Sequence, residues 1–211
     1  MGLITNESYD YWRISDGMVR KTTTEDDPLA IKRVLKKDDG SEKTMYEQVN
    51  KGISGVVDTV EIREGKYGRQ LYIGITDGAE RFFLQVPWES PYSRTFLERL
   101  PAVDMSKDVS IMPYSFEKDG KRRSGVALYQ DEVKIGSYYK EYSEDFTSTK
   151  HLHGYPQMTD GMDSDDYKIV GVQQMKFLKE KVVDQFPFFE KDEPKKEPTG
   201  KSDKKDDLPW R

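Results

Sequence analysis

Cysteine is absent from this chain of 211 residues, and only two residues are histidine. The first absence excludes disulfides, thiol nucleophiles and cysteine-ligated zinc, and it fits a reducing compartment. No run approaches the roughly 20 apolar residues of a membrane-spanning helix. The opening MGLITNESYD has neither the basic region nor the apolar core of a secretory leader. A soluble, cytoplasmic protein without membrane contact is expected. Neither a GxxxxGK[ST] phosphate loop nor a G-x-S-x-G elbow occurs, which argues against an ATP-driven motor and against serine hydrolysis. An overall basic charge is lacking too: the formal net charge is -5, so any nucleic-acid site must be a local patch.

One set of side chains offers metal chemistry. His151 and His153 precede Asp160, Asp163, Asp165 and Asp166, and alternate positions on an extended segment share one side. A polar surface loop accounts for the same residues. With no catalytic constellation elsewhere, the expectation is a protein that is not an enzyme and holds no metal or cofactor.

What the chain does have is strand pattern. In ISGVVDTVEIREGKYGRQLYIGITDGAERFFLQVPW, residues 53–88, three β-type runs are divided by Gly and Asp-Gly breaks. Alternation puts Leu71, Ile73 and Ile75 on one side of the second run and Tyr72 on the other. In the third run Phe82, Leu84 and Val86 oppose Arg81, Phe83 and Gln85. The Gly65-Lys66-Tyr67-Gly68 break matches the GxxG clamp of KH domains. That clamp joins helices, however, and this one joins strands.

Upstream, Tyr11–Ile14 and Met18–Thr23 flank Ser15-Asp16-Gly17 as a hairpin. A second pair, Ala30–Lys36 and Lys43–Tyr46, flanks Asp38-Asp39-Gly40, its first arm being strand or short helix. Basic residues gather in these arms, among them Arg13, Arg20, Lys21, Lys32 and Arg33, either as a solvated face or as a nucleic-acid contact. Downstream, Ser90 and the spacing of Phe96, Leu97 and Leu100 predict a short helix that Pro101 ends. Strands follow at Val109–Phe116 and Gly125–Gln130, and Val133–Tyr142 reads as one more. Ser143–Asp166 is polar loop, and Val170–Phe186 carries amphipathic helix spacing through Val172, Met175, Leu178 and Val182.

Three strands, a helix and two strands is the order of the OB-fold, a five-stranded Greek-key barrel. The fold expected is mainly β: such a barrel over residues 53–188 with a C-terminal helix, an N-terminal β-hairpin extension over 1–52 packed on it, and peripheral α-helices. OB-folds bind ligands on strands two and three, between the loop joining strands one and two and the loop joining strands four and five. Here the first loop holds Arg63, Lys66, Tyr67 and Arg69, and the second Lys118, Lys121, Arg122 and Arg123. Tyr72, Arg81 and Phe83 lie between them. Trp88 joins this candidate site, although Trp88, Tyr92 and Tyr114 also suit core packing. Exposed rings that stack on bases and cations that follow phosphates are the chemistry of single-stranded nucleic-acid binding.

From Glu190 to Arg211 seven acids (Glu190, Asp192, Glu193, Glu197, Asp203, Asp206, Asp207) and seven bases (Lys191, Lys195, Lys196, Lys201, Lys204, Lys205, Arg211) leave almost nothing apolar. Residues 189–211 are expected to be a disordered charged tail. The tail finishes in Asp206-Asp207-Leu208-Pro209-Trp210, followed by Arg211. With that tip, the chain resembles phage-encoded single-stranded DNA-binding proteins, whose relatives in bacteria end in an acidic run and Asp-Asp-x-Pro-Phe. The resemblance covers the strand pattern of residues 53–139 and the five residues of the tip. It implies a protein that coats single-stranded DNA during replication, recombination or repair, in a host cytoplasm, and recruits replication and recombination proteins through the tip. Two departures weaken the likeness: Arg211 moves the terminal carboxylate one residue along, and the tail is mixed in charge. A protein-interaction module on the same scaffold is the alternative reading.

Overall fold

The structure, a computed structural model, describes residues 10–66, 68–144, 148–157, 159 and 161–187. The protein is mainly β. Strands β1 (Asp10–Ser15), β2 (Met18–Thr23), β3 (Ile31–Lys36), β4 (Glu42–Asn50), β5 (Ile53–Gly65), β6 (Gly68–Asp77) and β7 (Glu80–Pro87) precede helix α1 (Pro91–Leu97). Strands β8 (Val109–Lys118), β9 (Lys121–Gln130) and β10 (Val133–Lys134) follow. They form one ten-stranded sheet in the order β10-β9-β8-β5-β6-β7-β1-β2-β4-β3. A separate pair, β11 (Lys140–Tyr142) and β12 (Thr149–His151), leads to helix α2 (Ser164–Leu178). No helix is long and apolar enough among the described residues to cross a membrane.

The closed five-stranded barrel expected from the sequence does not form. Closure would pair the third strand of the meander, β7, with the fifth, β9. Instead β7 gives its free edge to β1 in parallel, with Asp10 opposite Phe82 and Arg13 opposite Gln85. The N-terminal hairpins are therefore part of the sheet: β2 pairs with β1 and β4, and β3 with β4. The arm left open between strand and helix is strand β3. Of the run Val133–Tyr142, only the short β10 and β11 are strand.

One face of the sheet is the core. Leu71, Ile73, Ile75, Leu84 and Val86 are almost fully buried, as alternation predicts, and Trp12, Ile14 and Val19 extend the same layer into β1 and β2. Phe96, Leu97 and Leu100 cover it from α1 and the 3₁₀ turn Leu100–Ala102, and Met175, Leu178 and Val182 from α2 and its π-helical last turn Lys179–Val183. Ser90 caps α1 by accepting from the Ser93 N–H at 3.2 Å, with Pro91 at the first helical position. Helix α2 begins six residues before the expected start because Asp163 and Asp166 build a capping box. Val172, expected on its buried stripe, is 69% exposed. The segment between β10 and α2 is anchored by Glu98, a buried acid that accepts from Lys140 Nζ at 2.6 Å and Tyr155 Oη at 2.8 Å.

The β1–β2 turn folds back against β8. Asp16 and Gly17 both have positive φ, 55° and 74°, as a two-residue type I′ hairpin turn requires. A Cβ on Gly17 would lie 2.5 Å from the Ser115 backbone nitrogen. The Gly17 N–H donates to Tyr92 Oη at 3.1 Å, tying the turn to α1 as well. Gly17→Ala is therefore expected to destabilise the protein by about 1–3 kcal/mol, measured as a lower urea midpoint; an unchanged midpoint would contradict this packing of the N-terminal hairpin.

Candidate nucleic-acid interface

The face of the sheet opposite the core carries the candidate site. Because the β6–β7 ladder runs without interruption from Gln70↔Pro87 to Asp77↔Glu80, the expected alternation survives intact. Tyr72 and Phe83 emerge on this outer face, and β1 adds Tyr11 and Arg13, since Trp12 and Ile14 point into the core. Tyr11 stacks on Phe83 with ring centroids 5.7 Å apart and meets Tyr72 edge-on at 6.5 Å. The Arg63 guanidinium lies over Tyr72 at 4.6 Å and reaches Phe83 at 5.7 Å, while Arg81 sits 5.0 Å from the Phe83 centroid. Cations over ring faces are held by the ring quadrupole.

This arrangement changes the roles expected of two aromatic residues. Phe83, expected to be an exposed stacking platform, is only 4% exposed, because Tyr11 covers it. It supports the face from beneath, and the exposed ring is Tyr11, at 44%. Trp88 is 3% exposed and belongs to the core. Strand alternation also turns Arg69 away from Tyr72, and Arg69 pairs with Glu89 at 3.3 Å. Arg69 and Trp88 line a different groove of about 540 Å³, bounded also by Arg94, Tyr167, Val172, Met175 and Lys179.

A β-bulge fixes the near end of the face. The β5–β6 register slips between Val57 and Thr59, which leaves Asp58 unpaired in the ladder. Gly74 makes the slip possible: a Cβ there would lie 2.5 Å from Asp58 Oδ1 and 2.9 Å from Thr59 Cβ. Asp58 accepts from Thr76 Oγ1 at 2.6 Å, from Thr59 Oγ1 at 2.7 Å and from Arg81 Nη2 at 2.8 Å. Partial burial pushes its carboxyl upward, but the bonds from Arg81, Thr76 and Thr59 outweigh that and hold it below the ordinary 3.8.

The two basic loops are shorter than the sequence implied. The first is a hairpin turn between Gly65 and Gly68, so Arg63 and Arg69 stand on strands. Arg63 pairs with Glu61, and Lys66 is exposed at the tip. Tyr67 lies outside the described residues. In the second, Asp119 and Gly120, both at positive φ, make the turn, and Lys121, Arg122 and Arg123 are exposed on β9. Arg122 donates to Asp16 Oδ1 at 2.8 Å and to Ser115 Oγ at 2.9 Å. The bond from Arg122 keeps the Asp16 carboxyl below its usual range. Through this pair the β8–β9 hairpin meets the β1–β2 turn.

The tail tip Asp206, Asp207, Leu208, Pro209 and Trp210 and the metal candidate Asp160 also lie outside the described residues. Among the described residues no three His, Asp or Glu side chains converge on a metal position. His153 stacks on Tyr138 with centroids 4.4 Å apart, and His151 Nδ1 is 3.0 Å from the Pro156 carbonyl. Tyr11 is the site residue that sequence reasoning missed, and Arg13 was read only as one of several basic residues of the N-terminal arms; the alternation of both with Trp12 and Ile14 was legible, but the parallel pairing to β7 was not.

Compared with protein-family models, curated proteins and solved structures, the chain finds no match.

Asp58→Asn is expected to cost about 1 kcal/mol at neutral pH after solvent screening, since it weakens charged hydrogen bonds to Arg81 and Thr76. The folded carboxyl is depressed, so its contribution is present above the ordinary 3.8 and lost as pH falls through the folded value. Urea unfolding of both proteins checks this: the gap should close in acid as pH falls through the depressed folded value, and a gap independent of pH would contradict it.

Proposed function

We propose that the chain binds single-stranded DNA across this outer face, as a non-enzymatic protein of the phage type serving replication, recombination or repair in a host cytoplasm. The observation that carries the reading is the pair Tyr11 and Tyr72, partly exposed on one face and flanked by Arg63 and Arg81. Unpaired bases stack on such rings for about 1–3 kcal/mol each, and the arginines and the lysines of the two hairpin tips follow the phosphates. The order β9-β8-β5-β6-β7, with α1 between β7 and β8 in the chain, supports an OB-type core that β1 has opened by taking the closing edge. The tail tip, in this reading, recruits replication and recombination proteins.

Titration of the protein with labelled oligo-dT over a salt series tests the proposal. Binding should weaken as salt rises, and Tyr11→Ala with Tyr72→Ala should lower affinity about tenfold or more, at about 1.4 kcal/mol per tenfold, with the fold retained by circular dichroism. No binding at low salt would overturn the reading, and capture of protein partners without any DNA shift would favour an interaction module instead.

A further inference from the structure

Glu47 on β4 is a carboxylate only 1% exposed, and three guanidiniums converge on it. Arg13 of β1 forms an ion pair with Oε1, Arg20 of β2 lies 3.1 Å from Oε2, and Arg33 of β3 lies 3.7 Å from Oε2. Arg13 and Arg20 are direct cross-strand partners. Like charges in that position repel and destabilise a sheet, and a buried carboxylate needs far fewer than three cations to be compensated. Arg33 also reaches Asp16 at 3.4 Å, the carboxylate that holds Arg122. Four guanidiniums around two carboxylates leave two positive charges in excess.

We infer that Arg13, Arg20 and Arg33, fanned around Glu47, form a phosphate-binding node for the same single strand that the aromatic face takes. The inference rests on that single-strand reading and extends the nucleic-acid path onto the N-terminal strands. Each guanidinium offers five N–H donors in a planar fork suited to phosphate oxygens, and Glu47 cannot occupy them all. Arg13 and Arg33 keep 44% and 36% of their side chains exposed, whereas Arg20, at 16%, is the covered member. The node adjoins the rings, because Arg13 and Tyr11 are alternate residues on one side of β1. From Tyr72 on β6 to Arg33 on β3 the path crosses five strand spacings, roughly 24 Å at about 4.8 Å each. Glu47 acts as the internal counter-ion that lets the arginines stand together before DNA arrives.

The test is the double variant Arg13→Gln with Arg33→Gln, which leaves Arg20 to neutralise Glu47. For wild type and variant, oligo-dT affinity is measured as a function of salt, with the urea midpoint as the check on folding. Removing two phosphate-binding charges should lower the slope of log K against log salt by about 1.4, at about 0.7 per neutralised phosphate of a single strand. The Tyr11→Ala and Tyr72→Ala protein, losing stacking alone, should bind more weakly with the wild-type slope. A folded arginine variant with the wild-type slope overturns the node while leaving the single-strand reading in place. Absence of wild-type binding at low salt overturns that reading and the node with it.

Discussion

The free edge of β7 is the constraint on which the architecture turns. A strand edge presents a row of unpaired N–H and C=O groups that must be paired or covered. Here β1 covers it in parallel, and that single pairing has consequences on both faces of the sheet. Inward, it delivers Trp12 and Ile14 to the core, so the N-terminal strands are built into the same hydrophobic layer as the meander. Outward, it lays Tyr11 over Phe83 and sets Arg13, which reaches Glu47 across β2, on the same side of the sheet. The same event that opens the sheet widens its outer face from three strands to seven.

That face is held together by acids placed among cations. Asp58, freed from the ladder by the bulge beside Gly74, fixes Arg81 over Phe83. Glu47 gathers three arginines, and Asp16 joins the β1–β2 turn to β3 and β9. Glu47, with three guanidiniums, and Asp16, with two, each restrain more positive charge than they cancel. The result is a face whose rings and guanidiniums are positioned before any ligand arrives, which lowers the ordering entropy that binding must offset. A chain with net charge -5 thus gathers guanidiniums on one face, around Glu47 in particular.

Much of this was legible from residue pattern alone. Alternation in 71–76 and 81–86 placed Tyr72 and Phe83 opposite the aliphatic core set, and Asp-Gly and Gly breaks located the hairpins. Ser90 marked the start of α1. What pattern did not reveal was long-range pairing. Nothing local to Asp10–Arg13 says that it will join β7 in parallel, 72 residues away for the pair Asp10 and Phe82, and so neither the open sheet nor the burial of Phe83 could be read. Buried acids were hidden in the same way: Glu47 and Glu98 look like surface residues until the strands around them are paired. The bulge at Asp58 was equally silent, since its signal, Gly74, lies on the neighbouring strand.

The central claim is that one outer face, from Arg63 on β5 across Tyr72 and Tyr11 to Arg33 on β3, takes a single strand of DNA. Backbone amide shifts of ¹⁵N-labelled protein, followed by NMR while oligo-dT is added, test it most directly. The account predicts saturable shifts concentrated on β1, β6, β7 and the strands carrying Arg20, Arg33 and Glu47, with the groove between α1 and α2 unaffected. Shifts confined to that groove, or none at saturating DNA, would contradict it.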